Sequence, residues 1–183
     1  DMHDGVGGQL IALLARARAG HLSGTDAQAG LTSAIEDLRL VIDSLETPEG
    51  DLATALAKFR HRLERRLRGC GITLAWQPGE AAVKRAFRPA EILHVLRLFD
   101  EAASNALSHA GATELVMGWE QDGDELRIRF TDNGRGGLHG RPGGKGVHNM
   151  HERARLLGAE LRVASDAAGT RLLLVIPSFS GPD

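Results

Sequence analysis

The sequence predicts an α-helical hairpin followed by an α+β two-layer sandwich with a mixed sheet. Two observations point to the hairpin. Apolar residues run Val6, Leu10, Leu13, Ala17 and, after a break at Gly20-His21-Leu22-Ser23-Gly24, Leu31, Ile35, Leu38, Ile42, Leu45. These steps of three and four put one apolar seam along each of two helices. The sandwich follows from the remainder, where three helical stretches are interspersed with five short strand-like ones, as expected for helices packed on one face of a sheet. Thr47-Pro48-Glu49-Gly50 punctuates the chain between them. The predicted organisation is therefore a hairpin over residues 1–46, a linker over 47–50 and a larger domain over 51–183.

A short hairpin cannot bury both seams and its flanks alone. Pairing with a second copy into a dimeric four-helix bundle solves this; an intramolecular hairpin packed on the rest of the chain is the alternative. In the larger domain, Asp51 is a plausible N-cap for a helix to about Arg68, ended by Gly69 and Gly71. Ile72 to Trp76 reads as a strand, and Pro89 stands in the first turn of a helix reaching about His109. Glu114 to Trp119 and Glu125 to Thr131 form a strand pair around the Gln121-Asp122-Gly123-Asp124 turn. A glycine-rich loop covers Gly134 to Gly146, and a helix runs from about Val147 to Leu157. Strands from Glu160 to Ala164 and from Thr170 to Ile176 close the domain.

Composition narrows the function. A formal charge of -2 over 183 residues gives no broad basic surface for nucleic acid. The single cysteine, Cys70, rules out an intrachain disulfide framework and a cysteine-cluster zinc site. With no disulfide framework, a reducing cytoplasmic setting is the default, and no apolar run reaches the roughly 18 residues that cross a bilayer. Asp1 precedes Met2 and a helical pattern begins at once, which reads as a segment cut from a longer protein. Any sensor module or membrane anchor would lie upstream.

Three segments carry chemistry. Glu101, Asn105 and His109 lie at i, i+4 and i+8, on nearly one helix face, with Ala102, Ala106 and Leu107 available for packing. A neutral amide oxygen is a reasonable magnesium ligand when phosphates and waters complete the octahedron, and His109 could contact a phosphate. Asp132, after the alternating strand Leu126 to Phe130, can accept a hydrogen bond from the exocyclic amine of adenine, while Gly134 and Gly136 let the backbone approach the ring; Asp-Asn-Gly is also a common turn. Gly143, Gly144 and Gly146 precede a helix whose N-terminal amides suit phosphate. Arg135, Arg141 and Lys145 suit a mobile lid over a polyphosphate, although a solvated loop would look similar. Together these are parts for holding a nucleotide triphosphate and Mg2+.

The set resembles the ATP-binding domain shared by gyrase, the Hsp90 chaperone, histidine kinases and MutL, known as the Bergerat or GHKL fold. The resemblance covers about Asp51 to Pro177. It implies Asn105 as the magnesium ligand, with Asp132, Gly134 and Gly136 as the first glycine box and Gly144 and Gly146, flanking Lys145 and followed by Val147, as the second. Gly169-Thr170 matches a pair whose hydroxyl helps to hold the adenine-side carboxylate.

Within that family, Met2-His3-Asp4 at the head of the hairpin resembles the phosphoacceptor box of the sensor histidine kinases typified by the nitrate sensors and the membrane-fluidity thermosensor. His109-Ala110 after the Glu-x-x-x-Asn helix and Met150-His151-Glu152-Arg153 match the same subfamily. The resemblance implies ATP-dependent phosphorylation of His3, with Asp4 orienting and deprotonating the ring and Glu101 in the catalytic set. It also implies homodimerisation through the hairpin and transfer to an aspartate of a response regulator receiver domain. The subfamily carries glutamine five residues after the phosphoacceptor; here that position is Gly8 and the glutamine is Gln9. Kinase activity with weak phosphatase activity is therefore expected. Gly5, Gly7 and Gly8 each cost a helix about 1 kcal/mol relative to alanine, so fraying around His3 is expected. The rivals are an ATPase or serine/threonine kinase of the anti-sigma type on the same fold, and an inactive dimeric nucleotide-binding scaffold. His148 and His151, three apart, lack further ligands for a metal, and His21, His61 and His94 carry no signal.

Overall fold

Ser23 starts the second arm of the hairpin: its Oγ accepts the Asp26 N–H at 3.0 Å, satisfying one of the amides a helix start leaves open. The computed structural model describes residues 2–47, 50–136 and 146–178. Helices α1 (Met2–Arg18) and α2 (Gly24–Leu45) pack on each other in a first unit, Asp1–Glu46. Helix α1 begins at Met2 and runs through Gly5, Gly7 and Gly8, where fraying was expected. Leu13 lies so close to Gly30 that a Cβ there would overlap it, which fixes the α1–α2 contact. The α2 seam is uncovered: Leu31, Ile35, Leu38, Ile42 and Leu45 are 47–58% exposed, and on α1 the seam residue Leu10 and nearby Leu14 are 41% and 51% exposed.

The second unit, Thr47–Asp183, is the α+β sandwich. Its elements in order are α3 (Leu52–Leu67), β1 (Thr73–Gln77), α4 (Pro89–Asn105), a π-helical turn (Ala106–Ala110), β2 (Glu114–Asp122), β3 (Glu125–Asp132), α5 (Gly146–Leu156), β4 (Glu160–Asp166) and β5 (Gly169–Pro177). Asp51 caps α3 as expected, its carboxylate accepting the Thr54 N–H at 2.9 Å and the Thr54 hydroxyl at 2.5 Å. The Thr54 side chain, then the Thr54 amide, holds the Asp51 carboxyl below its ordinary value.

The sheet order is β1-β2-β3-β5-β4; β1 pairs with β2 in parallel and every other pair is antiparallel, so the sheet is mixed as predicted. Alternate residues Leu115 and Met117, Leu126, Ile128 and Phe130, and Leu172, Leu174 and Ile176 are buried, the period of two expected of strands covered on one face. Helix α4 is buried through Ile92, Val95, Leu96, Phe99 and Ala103, and the Phe99 and Phe130 rings sit 6.4 Å apart between helix and sheet. Arg66 of α3 pairs with Asp100 of α4 at 2.6 Å.

Two boundaries depart from expectation. Strands β2 and β3 extend to Asp122 and Asp132 because the two-residue turn at Gly123-Asp124 lets pairing continue to Asp122↔Glu125. The long helix stops being α-helical at Asn105 and continues as the π turn, closed by Gly111 at φ 61°. Such wider turns carry one extra residue and recur at functional sites. Cys70 is exposed in the turn after α3, while Trp119 is buried. Among the described residues, no helix is long and apolar enough to cross a membrane.

Candidate nucleotide site

Glu101 and Asn105 stand one turn apart at the C-terminal end of α4, both half-buried. Asn105 Nδ2 donates to Glu101 Oε1 at 3.4 Å. That bond uses the amide nitrogen and makes the oxygen the atom offered to a cation. Gly146, the first residue of α5, abuts the pair: a Cβ there would overlap Glu101 Oε1 and come within 3.5 Å of Asn105 Nδ2. The fold thus sets the positive end of α5 beside a carboxylate and a carboxamide, where a polyphosphate and its cation can both be held.

Asp132 ends β3 and is 4% exposed. Gly134 N–H donates to its Oδ1 at 2.9 Å. Among the described residues no cation pairs with it, so a buried carboxylate retains capacity to accept from a ligand donor. Across the sheet Asp132 faces Thr170 of β5 in register. The buried Thr170 hydroxyl lies 3.3 Å from Ser165 Oγ. The glycines answer to protein as well as to any ring. A Cβ on Gly134 would overlap Ala110, and Gly136, at φ 61°, lies against the Asp166 carbonyl. Gly134 and Gly136 therefore lock the end of β3 between the π turn and the β4–β5 hairpin.

No family model matches the chain. The signal transduction histidine-protein kinase/phosphatase UhpB of Salmonella typhimurium is 31% identical over 130 residues, which is 69% of this chain and 24% of that protein. The histidine kinase domain of the Erythrobacter litoralis EL346 blue-light activated histidine kinase is similar in fold, with a TM-score of 0.65 at 20% identity over 93% of this chain and 82% of that one. The ATP-binding domain of PrrB from Mycobacterium tuberculosis is 25% identical, with a TM-score of 0.53, over 72% of this chain and 94% of that domain. The chain belongs to the histidine kinase family. Its second unit is a GHKL ATP-binding domain. It spans 24% of the length of the Salmonella relative.

In this histidine kinase core the tertiary structure brings Glu101, Asn105, Gly146 and Val147 to one end of the α4–α5 pair, and Asp132, Gly134, Gly136 and Thr170 to the adjoining end of β3 and β5. Gly144 and Lys145 lie outside the described residues, as do the side chains of His3, Asp4 and His109. His148 and His151 are exposed on α5, and the described residues contain no cluster of three or more metal-binding side chains of the His, Cys, Asp and Glu types.

Three features of the chain escaped sequence reasoning. Glu91, buried at the start of α4, accepts the Arg88 N–H at 2.8 Å and pairs with Arg85. Burial pushes its carboxyl up, but the Arg88 bonds and the Arg85 charge outweigh that and hold it below its ordinary value. Glutamate three residues after a helix-capping position was the available signal. His94, two turns before Glu101 on α4, has a buried Nδ1 without a hydrogen-bond partner among the described residues. Burial, then the Arg153 charge of α5, lowers its pKa. The third is Asn133, whose side chain bonds to the segment leading into β2.

Proposed function

We propose that this histidine kinase core binds Mg-ATP between Asp132 and Asn105, phosphorylates His3, and passes the phosphoryl group to an aspartate of a response regulator receiver domain. The observation that carries the proposal is the buried Asp132 carboxylate, set in one sheet end with Thr170 and adjoining the Glu101–Asn105–Gly146 cluster. Adenine would be read by its exocyclic amine donating to Asp132, and the triphosphate would lie toward the α5 amides. Magnesium fits the Asn105 oxygen, and its chemistry would be to offset charge on the phosphates.

In the transfer, the neutral imidazole nitrogen of His3 attacks the γ-phosphorus and the bond to the bridging oxygen breaks, releasing ADP. Asp4 takes up the ring proton and fixes the tautomer. Glu101 belongs to the catalytic set beside the metal-side amide. Catalysis of this kind depends on positioning and electrostatic stabilisation. The linker from Thr47 to Gly50 is the proposed hinge that lets the domain reach His3. Homodimerisation through the uncovered hairpin seam completes the unit.

Labelling with γ-phosphate-tagged Mg-ATP tests the acceptor. Wild type is expected to take up acid-labile, base-stable label that is lost in His3→Gln; an acid-stable label surviving that change would point to a serine/threonine kinase. The Salmonella relative is named a kinase/phosphatase, and the Gly8 departure predicts weak regulator dephosphorylation here. A Cβ at Gly8 meets nothing within 4 Å, so Gly8→Gln has room. It is expected to raise the dephosphorylation rate of the phosphorylated regulator about 100-fold, the scale on which correct positioning of one reacting group acts. An unchanged rate would reject the role given to this position.

A further inference from the structure

Asn133 stitches the turn after Asp132 to the segment that follows the metal-side helix. Its Oδ1 accepts the backbone N–H of Thr113 at 2.9 Å and of Glu114 at 3.0 Å. Its Nδ2 donates to Thr113 Oγ1 at 3.0 Å, and its own N–H donates to the Glu114 carbonyl at 3.3 Å. Two residues on, Arg135 N–H donates to the Ala110 carbonyl at 2.9 Å, and Gly134 between them is pressed against Ala110. The Gly134 N–H held in this way is the donor to Asp132 Oδ1.

The residues from Asn105 through the π turn to Glu114, and those from Asp132 to Arg135, are thereby one block. An amide suits the joint because it offers one oxygen with two lone pairs to two adjacent N–H groups, and a donor to the hydroxyl beside them. The joint is exposed to solvent, so its bonds add little to global stability; what they control is the placement of the carboxylate, which tolerates errors of only about 0.5 Å in a working site.

We propose that Asn133 is a positioning residue: it sets the Asp132 carboxylate relative to Asn105, and so sets affinity for Mg-ATP without touching the nucleotide. The inference rests on the nucleotide reading of Asp132 and Asn105 given above. It predicts a binding defect with little change in the chemical step.

Calorimetric titration with Mg-ATP and autophosphorylation kinetics test it on wild type, Asn133→Ala, Asn133→Asp and Thr113→Val, each checked for fold by circular dichroism. Asn133→Ala is expected to weaken Kd and raise KM about tenfold, from losing three modest hydrogen bonds, with kcat within about twofold. Asn133→Asp keeps the acceptor and is expected to stay within about threefold of wild type. Equal losses in the two variants, or wild-type affinity in Asn133→Ala, overturn the proposal. Should Asn133→Ala fail to fold, Thr113→Val decides: it removes only the acceptor of Nδ2, a weakening of about threefold is expected, and unchanged Kd overturns the inference. Wild type that fails to bind Mg-ATP overturns the nucleotide reading itself, and this inference with it.

Discussion

Asp132→Asn is expected to weaken Mg-ATP binding by about 100-fold, or about 2.7 kcal/mol. The change is nearly isosteric and keeps an oxygen for the Gly134 N–H at 2.9 Å, so the turn has no reason to unfold. What it removes is a charge-assisted acceptor. What it adds is an amide N–H group facing the donor of the adenine amine, in a place 4% exposed where water cannot repair the mismatch. Loss of a charged hydrogen bond and an unsatisfied buried donor act in the same direction, which is why the effect should exceed that of any change at the solvent-facing Asn133. Equilibrium dialysis against radiolabelled ATP, with melting curves to show retained fold, is the measurement. Affinity within threefold of wild type would remove the carboxylate from the site and the proposed kinase mechanism with it.

The second large effect is expected at the hairpin. Leu38 and Ile42 sit at consecutive seam positions of α2, 47% and 48% exposed. They lie in a stripe with Leu31, Ile35 and Leu45 that is too continuous to be ordinary surface. Eight of the nine large apolar side chains exposed among the described residues are on α1 and α2, which marks this unit as the one with a face to cover. In the proposed four-helix bundle these residues form the core between copies. Replacing both, Leu38→Glu with Ile42→Glu, would bury carboxylates without partners, and the dimer dissociation constant is expected to rise at least about 100-fold. Sedimentation at several concentrations measures it. The seam has no part in the nucleotide site, so the double variant should still bind Mg-ATP while existing as a monomer. A wild-type chain that sediments as a monomer at all concentrations, or a double variant that stays dimeric, contradicts the assignment.

Much of the fold was legible because the forces that specify it act between near neighbours in sequence. Seam residues three and four apart, the Asp51 cap, Pro89 in a first turn and the alternating strands around Gln121 to Asp124 all express local geometry, and each reappears in the structure. The β2–β3 hairpin grew longer than expected because a two-residue turn permits pairing up to Asp122, and charge at the strand ends hides that from a hydrophobic pattern. The end of α4 was misjudged for a different reason. An α-helix and a π turn share their residue preferences, and what selects the wider turn here is the approach of Gly134 and the Arg135 N–H to Ala110, contacts made across the fold.

The amino-acid order alone determined the hairpin with its heptad seam, the helices and strands of a mixed-sheet sandwich, and the residue types able to hold a purine, a polyphosphate and a cation. Local periodicity and side-chain chemistry suffice for these. Only the tertiary structure decided that Gly146 abuts Glu101 and Asn105, that Asp132 is buried in register with Thr170, and that Asn133 joins the two halves of the site. Those facts depend on sheet register and helix packing between distant residues, which no short-range pattern encodes.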